Sequence, residues 1–111
     1  MLIPNQDKLH VIYYRSILFF RSDNYYAHVH LCDGRHFVLI KTLSKLEKEL
    51  QGQRFLRVSQ SLLVNADHII SIDKKQKLIS LGDKDSLAFT VPVRKLSEWI
   101  VGLDTDASGG E

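Results

Sequence analysis

The sequence has one cysteine, Cys32, and two prolines among its 111 residues. A single cysteine cannot form an internal disulfide, so the fold depends on packing and backbone hydrogen bonds, as is usual in a reducing compartment. No run of about 18 apolar residues occurs, and the first residues lack the basic and then apolar pattern of a secretory signal. These absences exclude a disulfide scaffold and a membrane-spanning helix, and they predict a cytoplasmic protein.

The chain also has little net charge, because 15 Lys and Arg residues stand against 13 Asp and Glu residues. Three of the acidic residues lie in the polar segment 104–111, so residues 1–103 carry a surplus of five positive charges. Apolar residues make up 44% of the sequence, enough for the single core that a chain of this length usually forms. We therefore expect one basic globular domain, which favours a polyanionic partner.

Residues 25–41 give the clearest local pattern, a β-hairpin centred on Asp33-Gly34. Asp-Gly suits a two-residue type I′ turn, which requires positive φ at both positions. This turn pairs Cys32 with Arg35 and predicts one core-facing set of side chains. That set comprises Ala27, Val29, Leu31, His36, Val38 and Ile40.

The rest of the sequence predicts short strands with two small helices. After Thr42 the apolar period becomes helical, with Ser44 and Glu47 spaced as in a capping box and Gly52 as a stop. A second short helix is predicted around Leu96 and Leu103. The predicted strands cover 11–14, 17–20, 55–58, 68–73, 78–81 and 87–91. The expected fold class is mostly β, with a disordered polar tail at residues 102–111.

The histidines and the cysteine are the first candidates for a chemical site, because imidazole and thiolate bind zinc. The predicted hairpin register places His28, His30 and Cys32 on the outer face and His36 on the opposite one. At most three ligands then converge, so we expect surface histidines, no metal and no cofactor. The sequence also lacks a Gly-rich phosphate loop, a nucleophile elbow and paired cysteines, which argues against an enzyme.

The most informative stretch is Arg54-Phe-Leu-Arg-Val-Ser-Gln-Ser-Leu-Leu-Val-Asn65. Further pieces of the same pattern lie in order along the chain: Ile17-Leu-Phe-Phe, Asn24-Tyr-Tyr, Asp33-Gly34, Lys41-Thr-Leu-Ser-Lys-Leu-Glu47 and Pro92-Val-Arg94. Together they resemble the LytTR DNA-binding domain family over residues 15–101. Residues 1–14 are then a lead-in strand and residues 102–111 the tail.

The resemblance implies an elongated antiparallel β fold whose loops enter successive major grooves of DNA. It further implies sequence-specific double-stranded DNA binding by a bacterial transcription regulator, usually at paired direct repeats. The sequence has no heptad repeat that would hold a dimer, so we expect a monomer in solution. With about fifteen residues before the resemblance, the chain is either a free-standing regulator or the output domain of a response regulator.

Three residues are candidates for base contacts on the strength of this resemblance. Tyr26 matches the family's aromatic residue close to DNA, Gln60 lies in the central loop and Arg94 in the late basic pair. Gln pairs with adenine N6 and N7, and Arg with guanine O6 and N7. The family commonly has His and Arg where this chain has Ser59 and Gln60, which removes one cation and favours adenine. The late motif also aligns one residue further on, which would exchange the roles of Arg94 and Lys95.

Four further residues are candidates for phosphate or supporting contacts: Ser59, Ser61, Lys84 and Lys95. For Lys84, a solvated turn lysine between two aspartates explains the sequence equally well. Strand alternation allows Arg57 to face solvent, the duplex or a carboxylate, so Arg57 is left out of the predicted site. The alternative function is a protein-interaction module that keeps the fold and has lost DNA binding. A basic surface joining these residues favours DNA, whereas interrupting acidic groups favour that alternative.

Overall fold

The computed structural model describes residues 1–82 and 86–107. Within these ranges the helices are α1 (Leu43–Glu49) and α2 (Val93–Ala107), with 3-10 turns at Tyr14–Ser16 and Ala66–His68. The strands are β1 (Leu2–Asn5), β2 (Lys8–Val11), β3 (Ile17–Asp23), β4 (Tyr26–Leu31), β5 (His36–Leu39), β6 (Phe55–Ser59), β7 (Leu62–Asn65), β8 (Ser71–Asp73), β9 (Leu78–Ser80) and β10 (Ser86–Ala88). The mostly β fold class predicted from the sequence is confirmed.

A five-stranded antiparallel sheet in the order β5-β4-β3-β7-β6 organises the domain. Its two faces belong to separate hydrophobic clusters. On one face, α1 and the β1–β2 hairpin contribute Leu46 and Ile3 to the cluster around Phe20. On the other, the three-stranded sheet β10-β9-β8 and α2 contribute Ile79 and Leu96. The central sheet is therefore a scaffold held from both sides, and its turns project from the two ends.

The predicted hairpin exists, but its register is shifted by one residue. Leu31 and Arg35 flank a three-residue loop, in which Leu31 N donates to the Arg35 carbonyl at 2.9 Å and Gly34 has φ 91°. A three-residue loop with glycine in the left-handed region is the usual alternative to a type I′ turn. The Arg35 backbone N–H, which donates to the Asp33 carboxylate at 3.0 Å, lowers the pKa of Asp33. The predicted two-residue turn is therefore wrong.

The register shift exchanges the faces of β5, since neighbouring residues of a strand point to opposite sides. Phe37 and Leu39 are buried, whereas His36, Val38 and Ile40 are exposed. These last three residues had been predicted to face the core. His36 instead pairs with His30 across the hairpin and lies on the outer face.

Helix α1 begins two residues earlier than the capping-box pattern predicts. Thr42 is the N-cap, and its side-chain oxygen accepts from Lys45 N at 3.2 Å, as expected for a threonine at a helix entry. The predicted capping box of Ser44 and Glu47 is wrong, because both residues lie within the helix. The Glu47 carboxylate instead accepts a hydrogen bond from Arg57 at 2.9 Å.

Both ends of the chain differ in detail from the sequence-based expectations. The strand predicted at residues 11–14 lies earlier, at Lys8–Val11, and a 3-10 turn follows it. The second helix continues to Ala107, past the predicted start of the tail at residue 102. Residues 108–111 lie outside the described residues. Among the helices of the described residues, none is both long and apolar enough to cross a membrane.

Asn65 ties the end of β7 to the segment that enters β3. It is 2% exposed, and its Nδ2 donates to the carbonyls of Tyr14 at 3.1 Å and Ile17 at 2.9 Å. Its Oδ1 accepts from the backbone of Asp67 at 3.0 Å. A buried side-chain amide with three partners is fully integrated into the fold, so Asn65 has a structural role.

Candidate nucleic-acid interface

Two turns lie side by side at one end of the five-stranded sheet. The β3–β4 turn closes at the Asp23 and Tyr26 pair, and the β6–β7 turn closes at the Ser59 and Leu62 pair. Ser22 N donates to the Ser61 carbonyl at 2.9 Å, which fixes one turn next to the other. This end of the sheet is called the Gln60 end below. The opposite end, where Asn65 lies, is called the Asn65 end.

A third segment reaches the Gln60 end through a β-bulge. Val58 lies between residues paired with β7, where the register of β6 shifts. Its carbonyl accepts from the backbone of Thr90 at 2.9 Å and of Val91 at 3.3 Å. Helix α2 begins two residues later, at Val93. Bulges often re-aim the chain next to functional sites, and this one holds the start of α2 beside the β6–β7 turn.

The three candidate base-reading residues are exposed in these three segments. Tyr26 is 46% exposed, the Arg94 side chain is 86% exposed and Gln60 is also exposed. Among residues 1–82 and 86–107, Gln60 has no hydrogen-bonding partner for its side chain. Arg94 Nε lies 3.7 Å from a Glu98 oxygen, an exposed ion pair that contributes little to stability. All three side chains are therefore available to an external partner.

The candidate supporting residues occupy different positions. The Ser59 side-chain oxygen accepts from Ser61 N at 3.3 Å, so this serine supports its own turn. Lys95 is exposed in the first turn of α2, beside Arg94. Lys84 lies outside the described residues. Ser86, which follows that segment, starts β10 at the far end of the strand from Thr90.

A lysine-rich turn between β8 and β9 lies near the start of α2. Phe89 N donates to the Lys77 carbonyl at 3.1 Å, and Lys77 Nζ donates to the Val91 carbonyl at 2.9 Å. Lys74 and Lys75 are exposed at the tip of the turn. The sequence signal was present as Lys-Lys-Gln-Lys after Asp73, but only the strand pairing shows which segment it adjoins.

The sequence-based site also omitted Arg57. Its Nε donates to the Ser59 carbonyl at 2.9 Å and its Nη2 donates to the Gln60 carbonyl at 2.5 Å. The third contact is the one with Glu47, on α1. Strand alternation had left three orientations open for Arg57, and the structure selects the carboxylate together with the adjacent turn.

The three histidines of the β4–β5 hairpin share one face, contrary to the sequence-based expectation. His28 Nδ1 lies 2.8 Å from His36 Nε2, and the rings of His30 and His36 stack at 4.6 Å. The predicted separation of His36 from the other two is wrong because of the shifted register. In the described part of the chain, no group of three or more His, Cys, Asp or Glu residues is arranged to hold a metal ion.

Comparisons with known proteins support the assignment made from the motifs. The model of the LytTr DNA-binding domain family matches residues 7–98. A similar solved structure is the LytTr DNA-binding domain of a protein described as a methyl-accepting/DNA response regulator from Bacillus cereus. It is 16% identical, with a TM-score of 0.74 over 92% of this chain and 95% of that one, and shares the fold. No curated protein matches the chain.

The family match extends over most of the chain and includes both turns of the Gln60 end and the start of α2. The family is one of DNA-binding domains and is non-catalytic, which confirms that the chain is not an enzyme. The resemblance noted in the motifs is likewise confirmed. The chain belongs to the LytTR DNA-binding domain family.

Proposed function

We propose that this chain binds double-stranded DNA sequence-specifically as a bacterial transcription regulator in the cytoplasm, with loops inserted into the major groove. The observation that carries the proposal is the convergence of three exposed segments at the Gln60 end. Tyr26, Gln60 and Arg94 come from three different segments and have little or no role within the described fold. Loops on a rigid sheet are a common way to present binding residues.

Gln60 and Arg94 supply the chemistry for base recognition. The Gln60 amide can donate to adenine N7 and accept from adenine N6, whereas the Arg94 guanidinium can donate to both guanine O6 and N7. Tyr26, at the neighbouring β3–β4 turn, supplies a contact to a base edge or a thymine methyl group. Because these residues come from separate segments, the start of β4, the β6–β7 turn and the start of α2, we expect each to read its own base position.

Phosphate contacts come from the basic residues around these turns. Lys95 follows Arg94, while Lys74 and Lys75 lie on the turn that Lys77 attaches to Val91. Ser59 and Ser61 support the central turn, and Lys84 is retained on the family resemblance alone. Such contacts hold the protein in register on the duplex without carrying sequence information.

The proposal is tested by selecting bound sequences from random duplex DNA and then measuring affinity for the selected site over a series of salt concentrations. We expect a defined consensus and a log–log slope of about −0.9 per phosphate contacted, or roughly −3.6 for four contacts. Binding that yields no consensus would contradict sequence-specific recognition. Absence of binding at low salt would favour the protein-interaction module instead.

We further propose that the protein is a monomer in solution and that two copies assemble on paired direct repeats. The spacing of the two sites then brings the copies together, and a stable dimer is not required. Light scattering at micromolar concentration should report the mass of one chain, 12.8 kDa. A tight dimer in the absence of DNA contradicts this part of the proposal.

A further inference from the structure

Arg57 joins the β6–β7 turn to helix α1 through three hydrogen bonds. Two of them end on consecutive carbonyls of the turn, those of Ser59 and Gln60, and the third ends on the Glu47 carboxylate. The guanidinium is a rigid planar fork, so contacts from its separate nitrogens fix their acceptors relative to one another. The turn backbone at Gln60 is therefore held against α1 by a single side chain.

The turn needs such a support because the Gln60 side chain has no partner in the described residues to orient it. Its direction depends on the backbone from which it projects. Recognition of a base edge requires placement within roughly 0.5 Å and 10–20°, which is supplied by residues behind the contacting group. The bulge at Val58 interrupts the ladder immediately before the turn. Ser61 is held by Ser22 N and by the Ser59 side chain, whereas the side chain that holds the carbonyls of Ser59 and Gln60 is that of Arg57.

We propose that Arg57 is a positioning residue for base recognition by Gln60, and that Glu47 holds Arg57 in place. The proposal rests on the base-reading role proposed for Gln60. The Arg57 side chain is 24% exposed, and its charge is balanced by Glu47. Arg57 thus acts on the turn backbone, and a direct phosphate contact is the competing role that the experiment must exclude.

Arg54 provides a matched control on the same strand segment. It forms an ion pair with Asp67 and also donates to the Leu103 carbonyl at 3.2 Å, but it lies at the Asn65 end. Its side chain is 36% exposed, similar to that of Arg57. Replacing either arginine by glutamine removes one positive charge and one ion pair, whereas only Arg57→Gln releases the turn.

The DNA-binding arm compares Gln60→Ala, Arg57→Gln, Arg57→Lys and Arg54→Gln on the selected site and on its single-base variants. Gln60→Ala should reduce discrimination at its base by about 5- to 150-fold. Arg57→Gln should reduce discrimination at that same base, Arg57→Lys should do so less, and Arg54→Gln should leave it unchanged. In the double variant Gln60→Ala/Arg57→Gln, discrimination should fall no further than in Gln60→Ala alone.

Three results of this arm overturn the proposal. If Arg57→Gln weakens all duplexes equally and lowers the salt slope by about 0.9, Arg57 contacts a phosphate directly. If Gln60→Ala changes discrimination and Arg57→Gln does not, Gln60 reads a base without support from Arg57. If Gln60→Ala itself has no effect at any base, the proposed base-reading role of Gln60 fails, and with it the positioning role.

A second arm tests the support of the turn without DNA. Backbone ¹⁵N relaxation of the folded free protein should show lower order parameters for Gln60 and Ser61 in Arg57→Gln and, to a smaller extent, in Glu47→Gln. Arg54→Gln should leave the turn unchanged. Unchanged order parameters in Arg57→Gln and Glu47→Gln contradict the proposal whatever the outcome with DNA. Glu47→Gln also keeps the test available if Arg57→Gln does not fold.

Discussion

The two ends of the five-stranded sheet use polar side chains in opposite ways. At the Asn65 end, Asn65 is buried with three hydrogen bonds, and the His68 ring lies 2.7 Å from the Arg15 carbonyl. At the Gln60 end, Gln60 and Arg94 are exposed. Asn65 and His68 hold the fold together at one end, whereas Gln60 and Arg94 remain available to a partner at the other.

This difference separates stability from recognition along the same strands. Strand β7, which is four residues long, connects Asn65 to the turn that contains Gln60. Hydrogen bonds to the buried polar groups make the Asn65 end rigid, and a rigid scaffold allows the Gln60 end to present polar side chains that have no partner within the fold. Substitutions at the two ends should therefore change different measurable quantities.

The largest expected effect on stability is that of Asn65→Leu. The change keeps the approximate size of the side chain but leaves the Tyr14 and Ile17 carbonyls and the Asp67 amide without their partner. The Ile17 contact is buried and the other two are partly buried, so water can reach part of what is left unpaired. Because one unsatisfied buried group costs about 1–3 kcal/mol, the free energy of unfolding should fall by about that amount. Urea denaturation measures this change.

The matched control for Asn65→Leu is Gln60→Ala, at the opposite end of β7. Gln60 is exposed, so its removal should alter the free energy of unfolding by no more than about 0.5 kcal/mol. Equal stability losses in the two variants would show that the ends do not divide the roles as described.

A smaller effect is expected from Lys74→Ala/Lys75→Ala, which removes two exposed charges beside the start of α2. If each lysine contacts one phosphate, the magnitude of the salt slope of DNA binding should fall by about 1.8, with base preference unchanged. The control variant Lys8→Ala/Lys48→Ala removes the same charge from β2 and α1, which pack over the other face of the sheet. Equal slope changes in both variants would mean that the β8–β9 turn makes no specific phosphate contact.

The strand pattern was largely readable from the sequence, but the hairpin register was not. Asp33-Gly34 is compatible with a two-residue turn and also with a three-residue loop that has Gly34 in the left-handed region. The two loops differ by one residue in register, and this decides whether His36 or Phe37 faces the core. The structure resolves the choice because Phe37 is buried in the hydrophobic cluster around Phe20.

Some residues of the candidate site could be predicted from the sequence, and others could not. Gln60 and Arg94 could be predicted because they lie within the motifs that occur in a fixed order along the chain. The role of Arg57 depends on a contact with Glu47, ten residues earlier in the chain, which strand alternation cannot supply. Lys74 and Lys75 adjoin α2 only through the folding of the three-stranded sheet. Contacts between elements were thus the part that local patterns did not determine.

The most direct test of the account is the base preference of Gln60→Ala and Arg94→Ala on the selected site, its single-base variants and random duplex DNA. We predict that each variant loses about 1–3 kcal/mol of discrimination at one position, adenine for Gln60 and guanine for Arg94, and that the two positions differ. Lys95→Ala, measured in parallel, distinguishes the two alignments of the late motif. A uniform loss of affinity on every duplex, in both variants, would contradict base reading by the Gln60 end.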